Sequence, residues 1–362
     1  MTISNLSFSS EPTQHTPAPT AQPRCRTRSH VVLGRILLLY LHYLNFHCIP
    51  SPTMLAIPKY IFKLFLLSFA VWIILSTAIP QISMKFHNHH IQTNTFIRPN
   101  YPYNSITSPT PLPIRNSTVY FVIGHPDDEV MFFSPSLVEI SKPKHGNHVR
   151  LVCFSRGDAV HESFASIRSQ ELRASARIIG VADEDVIILD YKDGMDITWR
   201  SNDVAQSLGD IISTKADKNI VVITFDAHGV SGHANHISLY HGTKEFFRSK
   251  VGNNDSFRLY VLKSLNFWEK YSFTLLTNVE LFFDLLSRHV FSSLLKINVN
   301  VSFFNQFNGN QVSLVKVYSD LNMLSVSYAA MAYGHFSQMV WFRYGWILFS
   351  RYLTYNHLVQ IQ

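Results

Sequence analysis

Acid is almost missing from the first third of this 362-residue chain: residues 1–126 hold nine Lys and Arg against one carboxylate, Glu11. The remaining residues hold 22 basic against 23 acidic side chains, so the overall charge of +7 belongs to the leader. No basic face is implied for the rest, which excludes nucleic acid as a partner. Cysteine is also scarce. Cys25, Cys48 and Cys153, with no CxxC pair, cannot build a disulfide framework or a thiolate zinc site. With 46% hydrophobic and 15% charged residues the chain is too apolar to be disordered throughout and too mixed for a multi-span transporter.

Residues 1–30 are rich in Ser, Thr, Pro and Gln and lack apolar periodicity, which predicts disorder. Residues 31–49 are apolar but carry Arg35, His42, Asn45 and His47, each costly at bilayer depth. Residues 64–79 are uncharged, and with Ile61, Phe62 and Lys63 the stretch reaches 19 residues before Pro80. At about 1.5 Å per residue it approaches the ~30 Å hydrocarbon core. Nothing amphipathic lies beside it in sequence to bury it. One transmembrane helix over residues 60–80 is therefore expected, with a Pro/Ser/Thr/Asn-rich linker over 81–116 and a globular domain over 117–357. Met54 opens a natural membrane-targeting N-terminus, so residues 1–53 read as a disordered or spurious extension. Six basic residues precede the span and three follow it; counted from Met54 the numbers become two and three, so charge leaves the orientation open.

Beyond residue 115, Val/Ile/Leu runs at 119–124, 149–154, 186–189, 220–225, 259–262 and 312–318 alternate with helical patterns at 162–179, 203–214, 236–248 and 320–332. Continuous apolar runs separated by amphipathic helices predict an α/β fold: a mostly parallel, doubly wound sheet with helices on both faces.

The first run ends in Gly124-His-Pro-Asp-Asp-Glu-Val130. Open α/β sheets place their sites at such strand ends. Three acids and an imidazole in one packed turn repel one another unless a cation balances them, although acids in a helix's first turn also complement its dipole. A second cluster decides between these readings. The run at 220–225 ends in Asp226-Ala-His-Gly-Val-Ser-Gly-His-Ala-Asn-His236, which sets His233 and His236 on one helical turn. Mixed nitrogen and oxygen donors suit Zn²⁺. His125, Asp128 and His236 can supply three ligands, leaving Asp127 as general base and His233 as donor to a developing oxyanion.

These two motifs resemble those of the PIG-L/LmbE-like superfamily of zinc-dependent de-N-acetylases. The resemblance extends from about Thr118 to Asn356, through Arg168-Ser-Gln-Glu171 and the Ser337-Gln-Met-Val-Trp-Phe-Arg343 and Phe349-Ser-Arg-Tyr352 segments, which point to the eukaryotic lipid-substrate branch. It implies an LmbE-like, Rossmann-like fold and one catalytic Zn²⁺ held by His125, Asp128 and His236, with Asp127 as base and His233 stabilising the oxyanion. The implied reaction is hydrolysis of the N-acetyl group of GlcNAc-phosphatidylinositol, a step of GPI-anchor synthesis. The implied setting is the endoplasmic reticulum membrane, single-pass, with a cytosolic catalytic domain. Arg168 is expected to touch substrate or to pair with Glu171, and Asp190 and Asp193 to meet the sugar unless Asp193-Gly194 is simply a turn. A deacetylase of another GlcNAc conjugate and a non-catalytic glycolipid-binding subunit are the alternatives. Contact with the lipid bilayer is expected from residues 281–297 and 338–353. The latter segment is dense in aromatics, and Arg343 and Arg351 within it are expected at the interface, meeting an inositol phosphate.

Overall fold

The apolar runs become strands because both faces of each are covered. The computed structural model describes residues 52–80, 112–159, 162–212, 219–251, 257–286 and 314–361. In chain order the main elements are helix α1 (Pro52–Ile73), β1 (Thr118–Ile123), α2 (Ser134–Ile140), β2 (His148–Ser155) and α3 (Phe164–Ile179). There follow β3 (Val186–Tyr191), α4 (Ser201–Ile211), β4 (Ile220–Phe225), α5 (Ala234–Val251) and β5 (Phe257–Leu262). The chain closes with α6 (Thr274–Leu286), β6 (Leu314–Tyr318), α7 (Leu321–Ala329), α8 (Trp341–Phe349) and β7 (Tyr355–Ile361).

The seven strands form one sheet in the order β3-β2-β1-β4-β5-β7-β6. The first five are parallel, with Thr118 opposite both His148 and Ile220, and β7 joins β5 and β6 antiparallel. Every residue of β1 and β4 is buried, as central strands of a doubly wound sheet require. Helix α7 packs against both α2 and α3, and α4 packs against α5. The order reverses between β1 and β4, and that switch point opens the crevice into which both histidine motifs project.

Strand β7 escaped the sequence reading because its pattern carries Asn356 and His357, both buried. The burial of Asn356 follows from tertiary partners. Asn356 Oδ1 accepts from Ser136 N and Oγ at 3.1 and 2.8 Å, and its Nδ2 donates to the Phe132 carbonyl at 2.8 Å. Both polar atoms of the Asn356 side chain thereby recover the hydrogen bonds they gave up to water.

The chain divides into the units Met1–Tyr60 and Ile61–Gln362, and of the first only the start of α1 is described. Of the extension expected over 1–53 and the linker expected over 81–116, residues 1–51 and 81–111 lie outside the described residues, whereas Pro52 and Thr53 belong to α1 and Leu112 and Ile114 are buried. Among the described residues one helix, Lys59–Ala78, is long and apolar enough to cross a membrane. Its exposed face carries Phe62, Leu66 and Leu67, but the opposite face, with Ser68, Trp72, Ser76 and Thr77, is buried. The partners come from far along the chain. Ser68 Oγ lies 2.8 Å from Thr274 Oγ1, Asn278 Nδ2 donates to the Ser68 carbonyl at 2.8 Å, and Leu321 N donates to Thr77 Oγ1 at 3.0 Å. Trp72 packs with Phe273, Leu324, Trp346 and Leu353.

Candidate metal centre

Asp128 organises the end of β1. Its Oδ2 accepts the backbone N–H groups of Gly124 and His125 at 2.9 and 2.8 Å, which folds the turn back on itself. A Cβ on Gly124 would lie 2.9 Å from His236 Cδ2, so only glycine lets the end of β1 approach the second motif this closely. Asp127 sits at φ +127°, a conformation that strains a non-glycine side chain, and its carboxylate meets Arg343 and, at 3.8 Å, Arg168.

The second motif is equally constrained. Val230, β-branched, is held at φ +60°. Asp226 accepts from Ser264 N and Oγ at 2.7 and 2.6 Å, and Ser264 Oγ in turn accepts from Val230 N at 2.8 Å, so the strained loop is pinned from β5's end. His236 stacks on Phe225, centroids 3.9 Å apart and planes 7° from parallel.

These constraints bring three potential donor atoms into one small triangle. His236 Nε2 lies 3.2 Å from His125 Nδ1 and 3.1 Å from Asp128 Oδ2, and His125 Nδ1 lies 3.5 Å from Asp128 Oδ2. Ligands about 2.05 Å from a tetrahedral zinc stand about 3.3 Å apart, so the edges fit that ion. The outer hydrogen bonds fit as well. His236 Nδ1 donates to the Gly229 carbonyl at 3.1 Å, while His125 Nε2 faces Asn235 Oδ1 at 2.9 Å and Asp193 Oδ1 at 3.0 Å. Both rings are thereby set with a lone pair towards the triangle, where it meets the Asp128 carboxylate. Lone pairs and an anion at this spacing repel unless a proton or cation stands between them.

The electrostatics record the same demand. Burial disfavours the His125 cation, yet the Asp128 and Asp193 carboxylates override it and raise the ring from 6.5 to about 10. Burial likewise disfavours the Asp128 anion, yet His236 and His125 hold it well below the usual carboxylate range. A site that binds a proton this tightly between fixed donors is one where a metal ion can take the proton's place. The ring nitrogens of His125, His233 and His236 lie within 4.8 Å of one another, a looser set than the His125–Asp128–His236 triangle.

His233 stands beside the triangle, its ring 4.6 Å from that of His125 and 4.8 Å from that of His236. Its Nδ1 accepts the Asn235 N–H at 3.2 Å, which leaves the proton on Nε2. Burial, and then the neighbouring imidazoles, lower it from 6.5 to about 4, so it is a neutral N–H donor near neutral pH.

A family model described as PIG-L, GlcNAc-PI de-N-acetylase, matches residues 120–247. The N-acetylglucosaminyl-phosphatidylinositol de-N-acetylase of Arthroderma benhamiae is 31% identical over 295 residues, covering 68% of this chain and 87% of that one. This chain belongs to the PIG-L family. Enzymes of the same name from Saccharomyces cerevisiae, 31% identical over 66% of this chain and 79% of their own, and from Bos taurus, 30% over 68% and 85%, extend the likeness. Among solved structures, a deacetylase of teicoplanin biosynthesis covers 67% of this chain and 97% of its own at 13% identity and a TM-score of 0.45.

Within this PIG-L chain, four of the residues expected at the site, His125, Asp128, His233 and His236, converge, and Asp127 adjoins them in the same turn with its carboxylate on Arg343. Others do not stand as expected. Asp190 is exposed and lies 3.6 Å from Arg156, because β3 runs on through Tyr191 and turns that side chain outward. Asp193, three residues on, is the acid that reaches His125. Arg168 does not pair with Glu171, which instead accepts from Ser337 N and Oγ at 2.6 and 2.8 Å. Arg168 donates to the carbonyls of Gly157 and Pro126 at 2.8 Å each, bracing the turn that carries Asp127.

The two arginines expected at the membrane interface are both turned inward. Arg351 is buried, 3.8 Å from Glu280 and over the Tyr355 ring, so it is not available to an inositol phosphate. Arg343 reaches Asp127 Oδ2 at 2.5 Å and also contacts Met131 Sδ. Their aromatic neighbours on α8 are exposed, Trp341 at 85% and Phe342 at 52%. Of the other expected contact segment, Leu281 is buried, Phe282 is exposed and residues 287–297 lie outside the described residues.

Sequence reasoning missed Asn235, although it sits inside the second motif. Its side chain joins His125 Nε2, Gly194 N and the Ile197 carbonyl, tying the loop after β3 to the site. It also missed Glu129, fully buried, which accepts from Ser175 Oγ at 2.6 Å and faces His335 Nε2 at 2.5 Å. Three acids in a row signalled the site but not which of them points away from it.

Proposed function

We propose that this chain is a zinc-dependent hydrolase of GlcNAc-phosphatidylinositol, releasing acetate and glucosaminyl-phosphatidylinositol from a single-pass position in the endoplasmic reticulum membrane, with the catalytic domain cytosolic. The observation that carries the chemistry is the triangle of His125 Nδ1, Asp128 Oδ2 and His236 Nε2, with both imidazole tautomers set by outer hydrogen bonds. The names of the curated relatives support the substrate, and the apolar helix Lys59–Ala78 supports membrane residence.

His125, Asp128 and His236 would hold Zn²⁺, which when bound makes water acidic enough to deprotonate near neutral pH and polarises a carbonyl. Asp127, oriented by Arg343, takes a proton from the attacking water. As the acetamide carbonyl becomes tetrahedral, His233 Nε2–H donates to its oxygen, a role that suits an imidazole held neutral. Asp127 then returns its proton to the leaving amine. His233, with its low affinity for a second proton, is unsuited to that step.

Acetate release from GlcNAc-phosphatidylinositol by the full-length membrane-bound protein is expected to be abolished by a chelator and restored by Zn²⁺. Release that continued unchanged after complete metal removal would refute the metal reading, and no release from folded, zinc-loaded protein would refute the substrate. His233→Ala is expected to lower kcat by about a hundredfold with zinc content unchanged. Loss of zinc in that variant would instead place His233 among the ligands.

A further inference from the structure

Beside the site a cleft of about 410 Å³ opens between the loop after β4 and helix α8, with Phe132, Tyr271, Trp346 and Phe349 in its walls. Two cations line it, Lys270 and Arg343. Arg343 is already committed to Asp127, at 2.5 Å. Lys270 pairs with no acid among the described residues. Its Nζ donates to Ser231 Oγ at 3.3 Å and lies 5.9 and 5.7 Å from the centres of the Phe132 and Tyr271 rings, with no carboxylate among its described ion-pair partners. Burial alone pushes this ammonium below the usual lysine range. A partly desolvated cation over two aromatic faces, with no acid among its described partners, is stabilised further when an anion arrives to complete it.

Position identifies that anion. Ser231 belongs to the same loop as His233, two residues away, so the ammonium stands next to the donor assigned to the acetamide oxygen. Phe267 and Trp268, three and two residues before Lys270, are exposed at 64% and 82%, and Phe342, which lines the cleft, and the adjoining Trp341 are exposed as well. Exposed aromatics around the cleft match the headgroup level of a bilayer, where the phosphates of lipids lie. We infer that Lys270 binds the phosphodiester of the glycolipid headgroup, holding the lipid by its charge while the amino sugar is presented to Asp127 and His233. This rests on the deacetylase reading above.

The test compares GlcNAc-phosphatidylinositol with an uncharged alkyl N-acetylglucosaminide in the same neutral detergent micelles, using the full-length zinc-loaded protein. Lys270→Met is expected to raise KM for the charged lipid about tenfold or more, with kcat for that lipid changed less than threefold, since a hydrogen bond to a charged group is lost in binding and not in chemistry. The ratio of kcat/KM for the charged over the neutral substrate should fall by the same factor. Lys270→Arg should keep that ratio within threefold of wild type, and it serves as the check on folding. If Lys270→Met lowers both substrates equally, or if Lys270→Arg loses discrimination as fully as Lys270→Met, the residue is structural and the inference falls.

Competition separates the sources of phosphate. Micellar phosphatidylinositol should inhibit wild type and spare Lys270→Arg no more than twofold, whereas inhibition by inorganic phosphate without inhibition by phosphatidylinositol would overturn the lipid assignment. A wild type that cleaves the neutral glycoside but not GlcNAc-phosphatidylinositol would overturn the substrate reading and this site together. A wild type that prefers the charged lipid through a Lys270→Met change of no effect would overturn the site alone.

Discussion

Asp127→Asn is expected to lower the rate of acetate release by about a thousandfold while zinc remains bound, because general-base catalysis contributes on the order of 10²–10⁴. The substitution keeps the size of the side chain, and asparagine tolerates positive φ better than most residues, so the strained turn at +127° should survive it. It removes the negative charge that Arg343 meets at 2.5 Å, and with it the group able to accept a proton from water. Metal content and kcat should be measured on the same preparation. Zinc lost in proportion to activity would make Asp127 a ligand, and activity retained within tenfold would remove it from the chemistry.

Glu139→Gln is expected to destabilise the folded domain by about 3 kcal/mol near neutral pH, by the loss of a buried carboxylate from a cluster of cations. Glu139 Oε2 lies 2.5 Å from Lys142 Nζ, and Oε1 lies 3.0 Å from Lys144 Nζ and 2.9 Å from His145 Nε2. Glu139 and Lys142 are both buried. Burial penalises the carboxylate, but His145 and the two lysines override it and hold Glu139 at about 2 against an ordinary 4.5. A carboxyl depressed in the folded state stabilises fully above the unfolded value, and that contribution is lost as pH falls through the folded value. The gap in unfolding temperature between wild type and Glu139→Gln should therefore be widest above pH 5 and shrink between about pH 4.5 and 2. A gap that did not change with pH would mean that Glu139 acts through packing alone.

Much of this molecule is written locally. The runs that became β1 and β4 are apolar at every position that a two-sided burial requires, and the motifs at their ends carry His125, Asp127, Asp128, His233 and His236 in short loops. Adjacent parallel strands end on the same side of a sheet, so two motifs that each follow a strand meet once those strands are neighbours. That is why the candidate centre was legible. The long apolar stretch before Pro80 was legible for the same reason, since length and lack of charge are properties of the stretch itself.

Other features required partners that no local pattern names. Asp190 and Asp193 look alike in sequence; the extra residues of β3 decided that the first faces water and the second His125. Arg343 and Arg351 lie in one aromatic segment, but Asp127 and Glu280, from distant parts of the chain, turned both inward. The polar face of α1 gained its role only when Thr274, Asn278 and Leu321 came to meet it. Strand β7 could be buried with Asn356 in it only because Ser136 and Phe132 supply the missing hydrogen bonds. By itself the sequence determined the strand rhythm, the two histidine motifs and the apolar span, all of which depend on residues near one another in the chain. The tertiary structure alone decided which charges are paired, which polar groups are buried and which cation in the cleft meets no acid among the described residues, because each of those depends on the residue brought to meet it.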